Sequence, residues 1–437
     1  MNIEEKSLHY HEAPRPGKLE VLPCKPCFST DDLTVAYSPG VAAPCMEIKR
    51  NHQASERYTN RSNLVGVVSN GTAVLGLGNI GAYAAKPVME GKSLLFKVYA
   101  DVDAFDIELD ISKPETFIEA VKYMEPTFGA INLEDIKAPE CFYIEQRLRE
   151  EMNIPVFHDD QHGTAVITGA ALLNACEITG RRLRDIRCVV SGAGAAGIAC
   201  AKFYMQLGVR RENIYMFDSK GILHIGRQDL HPTKALFAQY EECTMEQALK
   251  GADVFLGLSR RDILKREMVR SMAPQPIIFA CANPDPEITY AEAKAARQDC
   301  IMGSGRSDWP NQVNNVSCFP YIFRAALDMG ATRITESMKI AAAHALADLA
   351  RLEVPAEVEA ANGGVPLKFG PDYVIPKPFD PRMIEHLCPA IAEAAVAAGV
   401  ATRPLRNKAE YVAELKARVC GAQSRIHSLV DSYGKEK

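Results

Sequence analysis

The chain has 437 residues, 47% of them hydrophobic and 24% charged, which excludes a largely disordered polypeptide and predicts about two or three domains, each with its own core. With 50 Lys and Arg against 55 Asp and Glu, a net charge of −5 supports neither a nucleic acid nor an anionic membrane as partner. No apolar run approaches the roughly 18 residues of a membrane span, the segment MNIEEKSLHYH lacks the apolar core of a secretory signal, and 13 scattered cysteines fit reduced thiols, so a cytoplasmic enzyme is expected.

Residues 1–30 contain Pro14, Pro16, Pro23 and Pro26 and are expected to lie as an extended arm or as short helices. From Leu64 to Gly78, two β-branched runs flank Ser69-Asn70-Gly71, which predicts a hairpin. Residues 93–112 alternate in part and predict strands, whereas 114–125 and 139–151 have helical spacing. Pro155 and the polar HDDQHG stretch are expected to close this first region. From 163 the small-residue run GTAVITGAALLNACEITG predicts a buried helix. Strand candidates at 187–192, 213–218, 253–258 and 276–282 then alternate with helices, the pattern of a parallel, doubly wound sheet buried on both faces. Residues 354–381, with six prolines and three glycines, predict a long ordered loop, and the tail from 382 is helical.

Gly192-Ala193-Gly194-Ala195-Ala196-Gly197 matches the G-x-G-x-x-G pattern of dinucleotide binding. A predicted strand precedes it, an uninterrupted helix follows, and Asp218 ends the next strand 21 residues after Gly197. The glycines let the backbone approach a pyrophosphate, the helix amino terminus faces its charge, and the distant acid bonds a ribose hydroxyl. Ser219 and Lys220 follow Asp218, and the ammonium of Lys220 suits the 2′-phosphate of NADP as well, so both NAD and NADP stay open. A second match, Gly76-Leu77-Gly78-Asn79-Ile80-Gly81, lacks this setting: Pro87 and Gly91 are expected to cut its helix to about two turns. A backbone turn near a substrate is expected there.

Two acidic doublets, Glu134-Asp135 and Asp159-Asp160, each follow an apolar run, as if at strand ends. Adjacent buried like charges require a cation, and oxygen ligands suit Mg²⁺ or Mn²⁺. His158 and His162 have the spacing of a helical zinc pair, but Pro155 and Gly163 argue against a helix there, and hydrogen-bonded histidines are expected instead. Cys24 and Cys27 form a C-x-x-C in an irregular segment, where unpaired thiols are expected.

Taken together, these motifs closely resemble the malic enzymes in the form typical of short bacterial chains. The stretches that match are AYSPGVAAPC (36–45), SNGTAVLGLGNIG (69–81), KPVMEGK (86–92), EPTFGAINLEDIKAPECF (125–142), PVFHDDQHGTA (155–165), VSGAGAAG (190–197), FDSKG (217–221), FACANPDPEI (279–288), GRSDWPNQVNN (305–315) and IPKPFDPR (375–382). The resemblance implies an α/β fold: an amino-terminal substrate and metal domain (1–163), a Rossmann-like doubly wound domain (164–390) and terminal helices (391–437). It implies oxidative decarboxylation of L-malate to pyruvate and CO₂ with reduction of NADP or NAD, NADP slightly preferred, and dependence on Mg²⁺ or Mn²⁺. By motif position it assigns Tyr37 as general acid, Lys92 as general base, and Glu134, Asp135 and Asp160 as metal ligands with Asp159 beside them. Asn283, Asn314 and Asn315 would hold the substrate carboxylate and the nicotinamide. A homo-oligomer, dimer or larger, is implied too.

The chain departs from longer relatives in having Ala73-Val74-Leu75 where an arginine grips malate, which leaves Arg306 or the 76–81 backbone for the distal carboxylate. Regulation through the acyltransferase-like carboxyl-terminal region of some bacterial relatives is not expected. Two rival readings are a metal-dependent 2-hydroxyacid dehydrogenase or malolactic-type enzyme, and a non-catalytic dinucleotide-binding sensor.

Overall fold

The computed structural model describes residues 2–435. Strands β1 (Leu64–Ser69), β2 (Asp103–Glu108), β3 (Ala130–Leu133) and β4 (Val156–His158) form a parallel sheet in the order β2-β1-β3-β4. A second sheet, in the order β10-β9-β8-β5-β6-β7, is built from β5 (Cys188–Ser191), β6 (Ile214–Asp218), β7 (Gly221–Ile222), β8 (Val254–Gly257), β9 (Ile277–Ala280) and β10 (Ile301–Gly303). All its neighbours are parallel except the short β7. The fold is therefore α/β, with a Rossmann-like sheet after an amino-terminal α/β unit. Strand order reverses between β5 and β8, which opens a crevice beyond the carboxyl ends of those strands.

Side chains alternate across each strand, because successive Cβ atoms leave opposite faces. In β1, Val65 and Val67 enter one core while Leu64 and Val68 enter another. In β9, Ile277 and Phe279 face away from Ile278 and Ala280. The largest core belongs to both halves of the molecule. It joins Val65, Phe96 and Phe157 around the first sheet to Val190, Leu256 and Phe279 of the second, through Phe319, Phe323 and Leu346.

The structure corrects three expectations. No hairpin forms from 64 to 78: β1 pairs in parallel with β2 and β3, and a loop with a short 3-10 turn at Leu75–Leu77 follows it. Residues 93–100 are not strand. They belong to a 20-residue helix, Gly81–Ala100, that runs through Pro87 and Gly91. Ala82, Ala85, Met89, Lys92, Ser93, Phe96 and Ala100 make its buried stripe, and that tertiary burial outweighs the local cost of proline and glycine. HDDQHG is not a closing loop. His158 ends β4 and Asp159 opens a second 20-residue helix, Asp159–Ile178. The boundary expected at 163/164 falls inside that helix, and the one at 390/391 falls inside the Met383–Ala397 helix.

The amino-terminal arm carries short helices at Ile3–Glu12, Thr30–Ala36 and Ala42–Arg50, none with a buried residue. Its apolar side chains face outward: Val21 is 80%, Phe28 94%, Val35 75% and Tyr37 71% exposed. Among the described residues, no helix is long and apolar enough to cross a membrane.

Candidate active site

Parallel sheets present catalytic groups beyond the carboxyl ends of their strands. Glu134 and Asp135 follow β3 directly, and Asp159 and Asp160 follow β4, its neighbour. Asp160 Oδ2 accepts the Asp135 amide at 2.8 Å, which ties the two strand ends together. Asp135 has a positive φ of 54°, an uncommon conformation outside glycine, and its carbonyl accepts the amides of Thr72 and Ala73 at 3.1 and 2.9 Å. Asn132 donates to Glu134 Oε2 at 2.9 Å.

Lys92 enters from the Gly81–Ala100 helix, with Nζ 2.7 Å from Asp159 Oδ2 and 2.8 Å from Glu134 Oε1. The ammonium also lies 4.3 Å from the centre of the Phe319 ring, a cation–π contact that holds it against an apolar wall. Asn315 hydrogen-bonds Asp159, and a Cβ on Gly163 would come within 1.9 Å of Asp159 Oδ1 and 3.0 Å of Asn315 Cβ. Only glycine one turn into the helix leaves that carboxylate its place.

Three carboxylates, those of Glu134, Asp159 and Asp160, thus act on one ammonium. Burial pushes Glu134 up to about 7, Asp159 to about 7 and Asp160 to about 6, with the Lys92 ammonium opposing each rise. Burial alone would lower the Lys92 pKa, but Asp159, Glu134 and Asp160 outweigh it and push it well above the ordinary lysine range. Burial also depresses His158 to about 4, so its imidazole is neutral near pH 7. So many buried acids beside a single cation leave an excess of negative charge that a further cation would relieve. Oxygens of Glu134, Asp135 and Asp160 lie within 4.8 Å of one another, and an all-oxygen set of this size can hold Mg²⁺ or Mn²⁺. The histidine pair holds no zinc arrangement: His162 Nε2 bonds Glu145 Oε1 at 2.6 Å instead.

Beyond β5, Gly192 has a φ of 115°, and a Cβ on Gly197 would come within 1.9 Å of the Gly192 carbonyl oxygen, while the Gly194 position is open. This is a tight turn, a close helix–strand contact and a clear approach for phosphate, in that order. A cavity of about 520 Å³ follows, lined by Ser191, Gly192, Ala193, Gly194, Asp218, His231, Lys234 and Ser259. Ala195 and Ala196 open the Ala195–Leu207 helix at its edge.

Asp218 does not wait there as a free acceptor. Arg227 grips it with two hydrogen bonds at 2.8 and 2.9 Å, Lys234 adds one at 3.0 Å and the Lys220 amide one at 2.9 Å. Burial would raise its pKa, but Arg227, Lys220 and Lys234 hold it at about 2. The Lys220 ammonium turns instead to Asp229, 2.6 Å away.

Asn283 lies where the halves meet, since a Cβ on Gly76 would come within 2.0 Å of its carbonyl oxygen. Asn314 caps its own turn, accepting the Val316 amide at 3.0 Å. Arg306 lies nearby, donating to the Pro284 carbonyl at 3.4 Å, but its fork is engaged by Asp308 at 2.8 and 2.9 Å. Tyr37 stands apart: it ends the Thr30–Ala36 helix on the exposed arm and its own chain leaves it uncovered. Sequence reasoning did not single out Phe319, Arg227 or Lys234. The two cations lie 9 and 16 positions beyond Asp218 in loop-rich sequence, and no periodic pattern marks them.

Two family models match the chain: "Malic enzyme, N-terminal domain" over residues 16–149 and "Malic enzyme, NAD binding domain" over 161–360. The NADP-dependent malic enzyme of Escherichia coli (strain K12) is 56% identical over 416 residues, covering 94% of this chain and 55% of that protein. The NAD-dependent malic enzyme of Rhizobium meliloti (strain 1021) is 54% identical, covering 95% of this chain and 54% of the relative. The chain thus spans about half the length of these curated relatives. The crystal structure of a malic enzyme from Pyrococcus horikoshii superimposes with a TM-score of 0.89 at 41% identity, covering all of both chains. An acid cluster and lysine at the strand ends of one sheet, a glycine cradle on the next and two consecutive family models over most of the length agree that the chain belongs to the malic enzyme family.

Proposed function

We propose that the protein oxidatively decarboxylates L-malate to pyruvate and CO₂, reducing NADP in preference to NAD, with Mg²⁺ or Mn²⁺ held by Glu134, Asp135 and Asp160. The observation that carries this reading is the buried acid cluster with Lys92 2.7 and 2.8 Å from two of its carboxylates, beside a dinucleotide crevice. When bound, the dinucleotide supplies a hydride acceptor for C2, and the divalent ion supplies Lewis acidity at the C2 oxygen. The chain's own groups do the rest. Lys92 Nζ takes the C2 hydroxyl proton as hydride leaves C2, which requires the amine to be neutral in the loaded site. Asp159 and the Phe319 ring hold that amine in place. After CO₂ departs, the Tyr37 hydroxyl returns a proton to C3 of enolpyruvate. Asn315 and Asn283, near the acids and the crevice, fix the carboxylate and the nicotinamide.

The preference for NADP rests on the ribose end of the crevice. An acid that selects NAD must be free to accept two ribose hydroxyls, and Asp218 is already taken up by Arg227 and Lys234. Three cations, Lys220, Arg227 and Lys234, face two carboxylates, Asp218 and Asp229, and this excess of positive charge suits a 2′-phosphate.

We also read the exposed arm as the face on which a second copy docks, making a homo-oligomer. Apolar side chains this exposed call for cover, and a side chain that is to protonate an enol ahead of solvent must be held against it in an enclosed site. The 13 unpaired cysteines support a cytoplasmic setting.

The experiment is a steady-state assay on L-malate with each nicotinamide, following CO₂, reduced coenzyme and pyruvate. Activity is expected to vanish with EDTA and return with Mn²⁺, and Lys92→Ala is expected to lower kcat by at least about 10³-fold while coenzyme still binds. Lactate without net coenzyme reduction, or a Lys92→Ala variant of near-normal activity, would overturn the reading.

A further inference from the structure

Between the ends of β8 and β9 lies a carboxylate that the chemistry above does not use. Glu287 is fully buried, with Oε1 accepting the Ser259 amide at 2.9 Å and Oε2 the Ala282 amide at 3.1 Å. Its Cδ lies so near β8 that a Cβ on Gly257 would come within 2.3 Å of it. Its own backbone is pinned as well, the Leu264 amide donating to the Glu287 carbonyl at 3.1 Å. Burial pushes its pKa up and the Ser259, Ala282 and Glu287 amides hold it down, and among the described residues no lysine or arginine is one of the groups that set it.

An ionised side chain buried without a cation is costly, and an uncharged acceptor would close the same two loops at less expense. The loops in question belong to the site. Ser259 lines the dinucleotide cavity and its hydroxyl lies 2.8 Å from that of Ser191 at the end of β5, while Ala282 directly precedes Asn283. A dinucleotide lying across this reversal of strand order puts its pyrophosphate over the β5 glycines and its other half over the ends of β8 and β9. Glu287 bridges the two loops that leave those strand ends, where this second half would lie. The oxidised nicotinamide is a cation and the reduced ring is neutral, and in a low-dielectric interior a nearby carboxylate distinguishes them.

We propose that Glu287 is a positioning residue that holds the Ser259 and Ala282 loops beneath the nicotinamide and whose unpaired negative charge favours the oxidised coenzyme over the reduced one. This rests on the coenzyme reading given above. It suits an oxidation, in which the oxidised form must enter and the reduced form must leave.

Calorimetric titration of the intact protein with NADP⁺ and with NADPH tests the idea without turnover. In Glu287→Gln, the ratio of the NADP⁺ to the NADPH dissociation constant is expected to rise about fivefold. In Glu287→Asp, which keeps the charge, the ratio is expected to stay near the wild-type value even if both affinities fall. A Gln variant in which both affinities fall together assigns the residue a purely mechanical role and overturns the proposal. Should that variant fail to fold by circular dichroism, the wild type decides: a buried charge is barely screened, so the ratio is expected to hold within about twofold from about 0.05 to 0.5 M NaCl, and a ratio that drifts with salt overturns the proposal. A wild-type protein that binds neither form refutes the coenzyme reading itself, and this inference with it.

Discussion

At the scale of single residues, the proposed preference for NADP turns on how one acid is used. An aspartate at the end of the second strand of such a sheet reads, in sequence, as a ribose ligand. In the folded chain Arg227 and Lys234 occupy it. Arg227 is bound on two edges of Asp218 and lies 3.0 Å from Asp229, so it is fixed in place, whereas Lys234 holds a single bond and stays 30% exposed. Lys234 is thus the group freer to turn towards a phosphate. Lys234→Ala is expected to raise the KM for NADP about tenfold while moving that for NAD by less than about twofold, as steady-state kinetics would show. An equal effect on both coenzymes would assign Lys234 to holding Asp218 alone.

At the scale of elements, the Asp159–Ile178 helix organises the acids, and its first turn is braced from two sides. Glu145, on the Glu140–Glu151 helix, accepts from Gln161 at 3.1 Å and bonds His162 at 2.6 Å, while Lys339 Nζ lies 3.1 Å from His162 Nδ1. Burial alone would raise the Glu145 pKa, but His162, His158 and Arg149 outweigh it and hold it at about 2. A carboxylate depressed in this way stabilises the fold above its unfolded pKa, near 4.5, and that stability is lost as pH falls towards 2. Glu145→Gln is expected to cost about 1–3 kcal/mol at neutral pH, where it loses hydrogen bonding to His162 and Gln161, and to flatten the loss of stability across that acid window, measured as urea midpoints at a series of pH values. An unchanged acid slope would exclude this ion network as the brace. Much at this scale is readable in the primary structure. Four of the six strands of the second sheet announce themselves as short apolar runs, whereas β7 and β10 are too short to stand out, and both acid pairs stand directly after the segments that become β3 and β4. The Gly81–Ala100 helix is not readable so easily. Pro87 and Gly91 carry strong local signals for interruption, whereas the stripe that overrides them depends on cores supplied by sequence far away, such as Phe319 and Phe323 packing edge-on against Phe96.

At the scale of the whole molecule, the lysine is enclosed and the tyrosine is not. Lys92 is 7% exposed and Tyr37 is 71% exposed. If a second copy covers the arm, Tyr37 of one chain serves the acids of another. Tyr37→Phe and Lys92→Ala proteins, each nearly inactive alone, are then expected to yield purified mixed dimers with about half the wild-type activity, because one of the two sites is whole. Mixed dimers without activity would place Tyr37 in its own chain's site. The core that runs between the two sheets bears on integrity as well. Phe157 and Phe279 sit in one continuous apolar mass that both halves share. A chain cut down to either half would therefore carry a raw hydrophobic wound where its other half had been.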